Sequence, residues 1–156
     1  MDMLRRTILK GASASGVLTV ALAAGVLKPG QVLAATWNKS AFDAKDLDGA
    51  MKSLGASAVA ESKDILLKAP DIAENGAVVP VDAASNIPNT SELSILVVKN
   101  PLPLSTTFSF SNGALADASV RLKLAQTSVV KVVVKADGKF YTAQKEVKVT
   151  VGGCGG

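Results

Sequence analysis

The chain has 156 residues, 48% of them hydrophobic and 19% charged, which suits one domain with a packed core and excludes an intrinsically disordered protein. It has no His and a single Cys, which removes the commonest general base, every Ser-His or Cys-His nucleophile pair, an internal disulfide framework and Cys-rich metal sites. The formal net charge of +4 does not indicate a nucleic-acid partner, because neither a basic stripe nor a recognition motif accompanies it.

Residues 1–35 read as an export signal. Arg5, Arg6 and Lys10 are followed by an uncharged run from Gly11 to Leu27, and Gln31 to Ala35 supplies small residues before Thr36. Those 17 residues, rich in Ala, Gly and Ser, fall short of the ~20 strongly apolar residues of a membrane span. Cleavage after Ala34 or Ala35 is therefore expected, with no membrane attachment afterwards. The stretch Leu4-Arg5-Arg6-Thr7-Ile8-Leu9-Lys10 resembles the twin-arginine motif Ser/Thr-Arg-Arg-x-Phe-Leu-Lys and departs from it at Leu4 and Ile8. Passage of a folded protein to the periplasm is what that motif implies. The signal holds four of the 17 basic residues and one of the 13 acidic ones, so residues 36–156 carry 13 against 12, or +1.

After the signal, Ser40 is placed to cap a helix reaching about Leu54, with Phe42, Leu47, Met51 and Leu54 on one side and Gly55 ending it. Such a helix is expected to cover an edge or end of a sheet. From Asp64 the apolar period falls to two. Ile65 to Ala69, Val79 to Ala83, Leu93 to Val98, the Phe108–Phe110 segment, Val120 to Leu124, Val129 to Lys135 and Lys139 to Val151 read as seven strands. Asp137-Gly138 predicts a two-residue hairpin between the last two. Asn75-Gly76, Ile87-Pro88-Asn89, Asn100-Pro101 and Asn112-Gly113 supply turns. Pro80 predicts an edge or a bulge in its strand. The pattern predicts an all-β, immunoglobulin-like antiparallel β-sandwich over residues 36–151, with an N-terminal helix.

Chemistry concentrates at the C-terminus. Gly152, Gly153, Gly155 and Gly156 surround Cys154, the chain's one thiol. A glycine segment has no side chains with which to bury a Cys, so residues 152–156 predict a flexible arm that carries an exposed thiol. No cation, His or helix N-terminus near it in sequence would activate the sulfur, which suits a carrier better than a catalyst. An exported unpaired Cys otherwise suggests an interchain disulfide, so a structural module linked to a partner stays open. A metallochaperone lacks soft ligands here, and no cofactor or metal is expected.

The terminal Gly-Gly-Cys-Gly-Gly, preceded by Lys145 to Val151, resembles the SoxY family of the bacterial thiosulfate-oxidising multienzyme system. The block Ala69 to Val81, the segment Asn86 to Thr90 and Lys135 to Lys139 are similar to that family too. The resemblance implies that Cys154 holds sulfur intermediates covalently and that the chain pairs with a SoxZ subunit. It further implies that haem-containing SoxAX couples thiosulfate oxidatively to the thiol and that SoxB hydrolyses off sulfate. In some organisms a sulfane dehydrogenase oxidises the sulfur that remains.

Overall fold

Two short helices open the folded region in the computed structural model, which describes residues 37–150. Asn38 caps α1 (Lys39–Phe42), its Oδ1 accepting from the Ala41 N–H at 3.1 Å, and Asp46 caps α2 (Leu47–Ser53), accepting from the Gly49 N–H at 2.7 Å. The single helix expected from Ser40 to Leu54 is thus two. Asp43, Ala44 and Lys45 separate them, because each Asx side chain offers the backbone a cap and restarts the helix. Gly55 does end α2, at φ +77. It donates to the Lys52 carbonyl at 3.0 Å while Ala56 donates to that of Met51 at 2.9 Å, a Schellman closure that needs the left-handed residue.

Nine strands follow among the described residues: β1 (Val59–Glu61), β2 (Ile65–Lys68), β3 (Ile72–Ala73), β4 (Val79–Ser85), β5 (Thr90–Val97), β6 (Leu104–Ser109), β7 (Asp117–Leu122), β8 (Ser128–Ala136) and β9 (Lys139–Val149). The larger sheet runs β1-β9-β8-β5-β6, with β3 also on β9, and the smaller runs β2-β4-β7. Most pairs are antiparallel, as expected of the sandwich. β1 and β3, however, lie parallel to β9, in register Ala60↔Tyr141 and Ile72↔Lys148. Neither is among the seven strands that the sequence predicts: at three and two residues they are too short to establish an alternation. Pro80 lies in β4, the middle strand of its sheet, yet β2 pairs only with Asp82 to Ser85. The proline sits past the end of β2, at a local edge where its missing N–H breaks no ladder.

The main core lies between the sheets and joins Val79, Val81, Leu93, Ile95, Val97, Leu124, Val130, Val132, Val134 and Val147, all essentially inaccessible. Each such side chain contributes about 1.5–3 kcal/mol by leaving water. A second cluster lies on the outer face of the larger sheet, where Leu96, Leu104 and Val133 meet Ala41 and Ala50, with Phe42, Leu47, Met51 and Leu54 around them. The helices therefore cover a face, not an edge or end. This layering explains why Leu93 to Val97 reads as an apolar run broken only by Ser94: β5 is buried on both sides. Among the described residues no helix is long and apolar enough to cross a membrane.

Candidate functional site at the end of the last described strand

Cys154, Gly152, Gly153, Gly155 and Gly156 lie outside the described residues, as do Arg5 and Arg6. The structure does describe the strand that leads to the thiol. β9 is the longest strand, at 11 residues. Val147 near its end is fully buried and Val149 packs against the main core, while Lys148 and Thr150 face solvent. Strand alternation alone thus seats one face of the last few residues in the sandwich.

Main-chain bonds on both sides then fix the strand end. On one side the Lys148 N–H donates to the Asp71 carbonyl at 2.9 Å and the Thr150 N–H to the Ala73 carbonyl at 3.2 Å. The Thr150 hydroxyl donates to the Glu74 carbonyl at 3.3 Å. On the other side Thr127 Oγ1 accepts from the Val149 N–H at 3.0 Å and lies 3.4 Å from the Val149 carbonyl, to which it donates. One hydroxyl thereby continues the ladder one step beyond the point where β8 begins.

The segment around β3 is itself tied down. Lys145 Nζ donates to the Ala69 carbonyl at 2.5 Å and lies 3.0 Å from Asp71 Oδ1. Asn75 Oδ1 accepts from the Ala77 N–H at 2.9 Å, closing a tight turn. Gly76 then presses against the end of β9 and the segment just after β7. A Cβ on it would lie 2.5 Å from the Leu124 carbonyl oxygen and 2.8 Å from Val149 Cγ1, and its own carbonyl accepts from the Leu124 N–H at 2.7 Å. Only a residue without a side chain permits that approach.

Residues 69–77 therefore form a collar around the end of β9. The sequence marks Asn75-Gly76 as a turn and assigns no role to Asp71, Ala73, Glu74 or Thr127. The signal that could have found Thr127 is weak: a threonine just ahead of a strand start. Asp71 and Ala73 act through backbone carbonyls, which no side-chain pattern reports. Chemically, the collar offers no metal site, since among the described residues no group of three or more Cys, Asp or Glu is placed to hold an ion. What it does is hold the backbone of the chain in place through Thr150.

The family model described as sulfur oxidation protein SoxY matches residues 50–154. Among solved structures, the sulfur carrier protein SoxY from Chlorobium limicola f thiosulfatophilum is similar at 41% identity and a TM-score of 0.63, over 68% of this chain and 97% of that one. A superoxide reductase (neelaredoxin) from Ignicoccus hospitalis is similar at 20% identity and a TM-score of 0.51, over 58% and 83% respectively. That second likeness reflects a common fold alone. No curated protein matches the chain.

Proposed function

The chain belongs to the SoxY family of sulfur oxidation proteins, and on that premise we propose that it is a non-catalytic carrier that holds thiosulfate-derived sulfur covalently on Cys154. The observation that carries this reading is the fixed backbone of β9 through Thr150, four residues before the thiol. Four residues at ~3.3–3.6 Å each allow about 13–14 Å of reach. A body that holds the root still, followed by glycines without bulk, suits a thiol that must enter successive active sites.

Two balanced steps describe the cycle. In the first, the Cys154 thiolate and thiosulfate join through a new S–S bond, and two electrons pass to a haem enzyme of the SoxAX type. In the second, water cleaves the terminal S–SO3 bond in an enzyme of the SoxB type, releasing sulfate and two protons and leaving a persulfide on Cys154. Activation belongs to the enzymes, since a thiol without local cations is a modest nucleophile at neutral pH. A sulfane dehydrogenase, where present, would oxidise the outer persulfide sulfur to a sulfonate with three oxygens from water, passing six electrons to an acceptor. Water in SoxB would then cleave the S–SO3 bond to release a second sulfate and restore the thiolate.

The same reading includes removal of residues 1–35 as a twin-arginine signal through Arg5 and Arg6, residence in the periplasm and a stable heterodimer with a SoxZ-like subunit. Its direct test is Cys154→Ser in a reconstituted system. Thiosulfate-dependent turnover is expected to vanish while folding and subunit binding persist, and intact mass of the wild-type protein purified without reductant should show a reductant-labile sulfur adduct on the C-terminal peptide. Retained turnover would overturn the carrier role, and a mass equal to two disulfide-linked chains would favour the structural module instead. Replacing Arg5 and Arg6 by Lys should leave the precursor in the cytoplasm.

A further inference from the structure

Sheet edges expose unpaired N–H and C=O groups, and proteins usually blunt them with short strands, charges or prolines. Four of the five edge strands among the described residues obey that rule. β1 and β3 have three and two residues, and β1 ends on the exposed Glu61. β2 has four residues and ends on the exposed Lys68, while β7 carries the exposed Asp117 and Arg121. The fifth, β6, is six residues long with neither charge nor proline, Leu104-Ser-Thr-Thr-Phe-Ser109.

The absence of charge extends well past the strand. Asn100 to Ala116 holds 17 residues without a charged side chain, the longest such run after residue 35. Leu102 before the strand is 50% exposed and Leu115 after it 87%. The bulge opposite Ile95/Leu96 disturbs only the beginning of β6.

Register tells which backbone groups are open. The Phe110 N–H donates to the Ser91 carbonyl at 2.9 Å, and Leu93↔Phe108 and Ile95↔Thr106 keep the same parity. Thr106 and Phe108 thus turn their N–H and C=O groups toward β5, and Thr107 and Ser109 turn theirs outward. β6 is terminal in its sheet, so those outward groups meet no strand among the described residues.

We propose that the outer edge of β6 receives an extended, uncharged strand of the SoxZ-like partner, continuing the larger sheet across the subunit boundary. Backbone groups in a row select an extended segment, and pairing with a strand that lacks any countercharge disfavours a charged one, whose ions would be desolvated without compensation. Leu102 and Leu115 flank the added strand and lose their exposure to water with it. This inference rests on the heterodimer reading above and adds to it the edge through which the subunits meet.

Amide hydrogen exchange read residue by residue tests it, on the chain alone and with the SoxZ-like subunit added. The amides of Thr106 and Phe108 should be protected in both samples, whereas those of Thr107 and Ser109 should exchange freely alone and slow at least about tenfold in the complex, as one added hydrogen bond implies. Ser109→Pro removes an outward donor and should weaken association by about tenfold, with Thr106 and Phe108 still protected as evidence of an intact β5–β6 pair. A complex that forms with Thr107 and Ser109 unprotected overturns the edge while leaving the heterodimer standing. Protection already present in a homodimer of the chain alone assigns the edge to a second copy and overturns the proposal. Absence of any complex overturns the heterodimer reading itself, and the strand addition with it.

Discussion

At its start β9 is joined to β8 through Asp137 and Gly138, neighbours in the chain; at its end it is held by Thr127, 22 residues earlier, and by Glu74, 76 residues earlier. Each end uses a glycine, for opposite reasons. Gly138 stands at φ +72 after Asp137 at φ +49, the pair of left-handed residues that a two-residue hairpin requires, and a Cβ on it would meet nothing within 4 Å. Gly76 is not in the left-handed region, and a Cβ there would strike the Leu124 carbonyl. One glycine serves the backbone angle and the other serves proximity. The first end can therefore be secured by two residues of sequence, while the second needs three separate parts of the chain to arrive together.

Substitutions at the two ends should separate these mechanisms. Gly76→Val, which forces Leu124 and Val149 apart, should cost about 1–3 kcal/mol or more, measured as a lower urea midpoint. Its loss of sulfur turnover should exceed what the unfolded fraction explains. Thr127→Val removes the hydroxyl that serves the Val149 amide and should cost about 1–2 kcal/mol; faster exchange of that amide, with the Thr142 amide unchanged, would locate the damage at the arm root. Gly138→Ala should cost about 1 kcal/mol through the left-handed backbone alone, and turnover per folded molecule should stay at the wild-type value. Lys145→Met should change stability by no more than about 1 kcal/mol, because its partners are the exposed Asp71 carboxylate and one backbone carbonyl, that of Ala69. Equal turnover losses for Gly138→Ala and Thr127→Val would erase the distinction between the two ends.

What is legible in the sequence follows the same division. Val129 to Lys135, Asp137-Gly138 and the alternation after Lys139 suffice for the β8–β9 hairpin, because period, propensity and turn chemistry agree within one short window. The sandwich follows from the other alternating runs. The break between α1 and α2 is hidden because Phe42, Leu47 and Met51 keep an apolar spacing across it; Asn38, Asp43 and Asp46 are the signs to weigh against that spacing. β3 is hidden for a different reason. It exposes Ile72 at 59% and buries Ala73, so its hydrophobicity runs against its burial, and its place depends on amide donors far along the chain, Lys148 and Thr150. The importance of Ala69 to Val81 enters the sequence reading only as a family resemblance, and its physical content, a collar, is visible in three dimensions alone.

The parallel strands on β9 also constrain the order in which the molecule can be made. β1 and β3 emerge early in synthesis, yet the strand they join is the last one in the described chain. Contacts between such distant segments close only after the intervening chain exists, and they are slow to form. A nascent chain stopped within β9 leaves β8 without its neighbour and β1 and β3 with nothing to join, so a closed body certifies that translation has passed residue 149. The thiol follows five residues later. If export follows the proposed twin-arginine route, which passes folded chains, completion of the fold would act as a proofreading step: chains truncated within β9, which lack Cys154, would be held back with the unfolded.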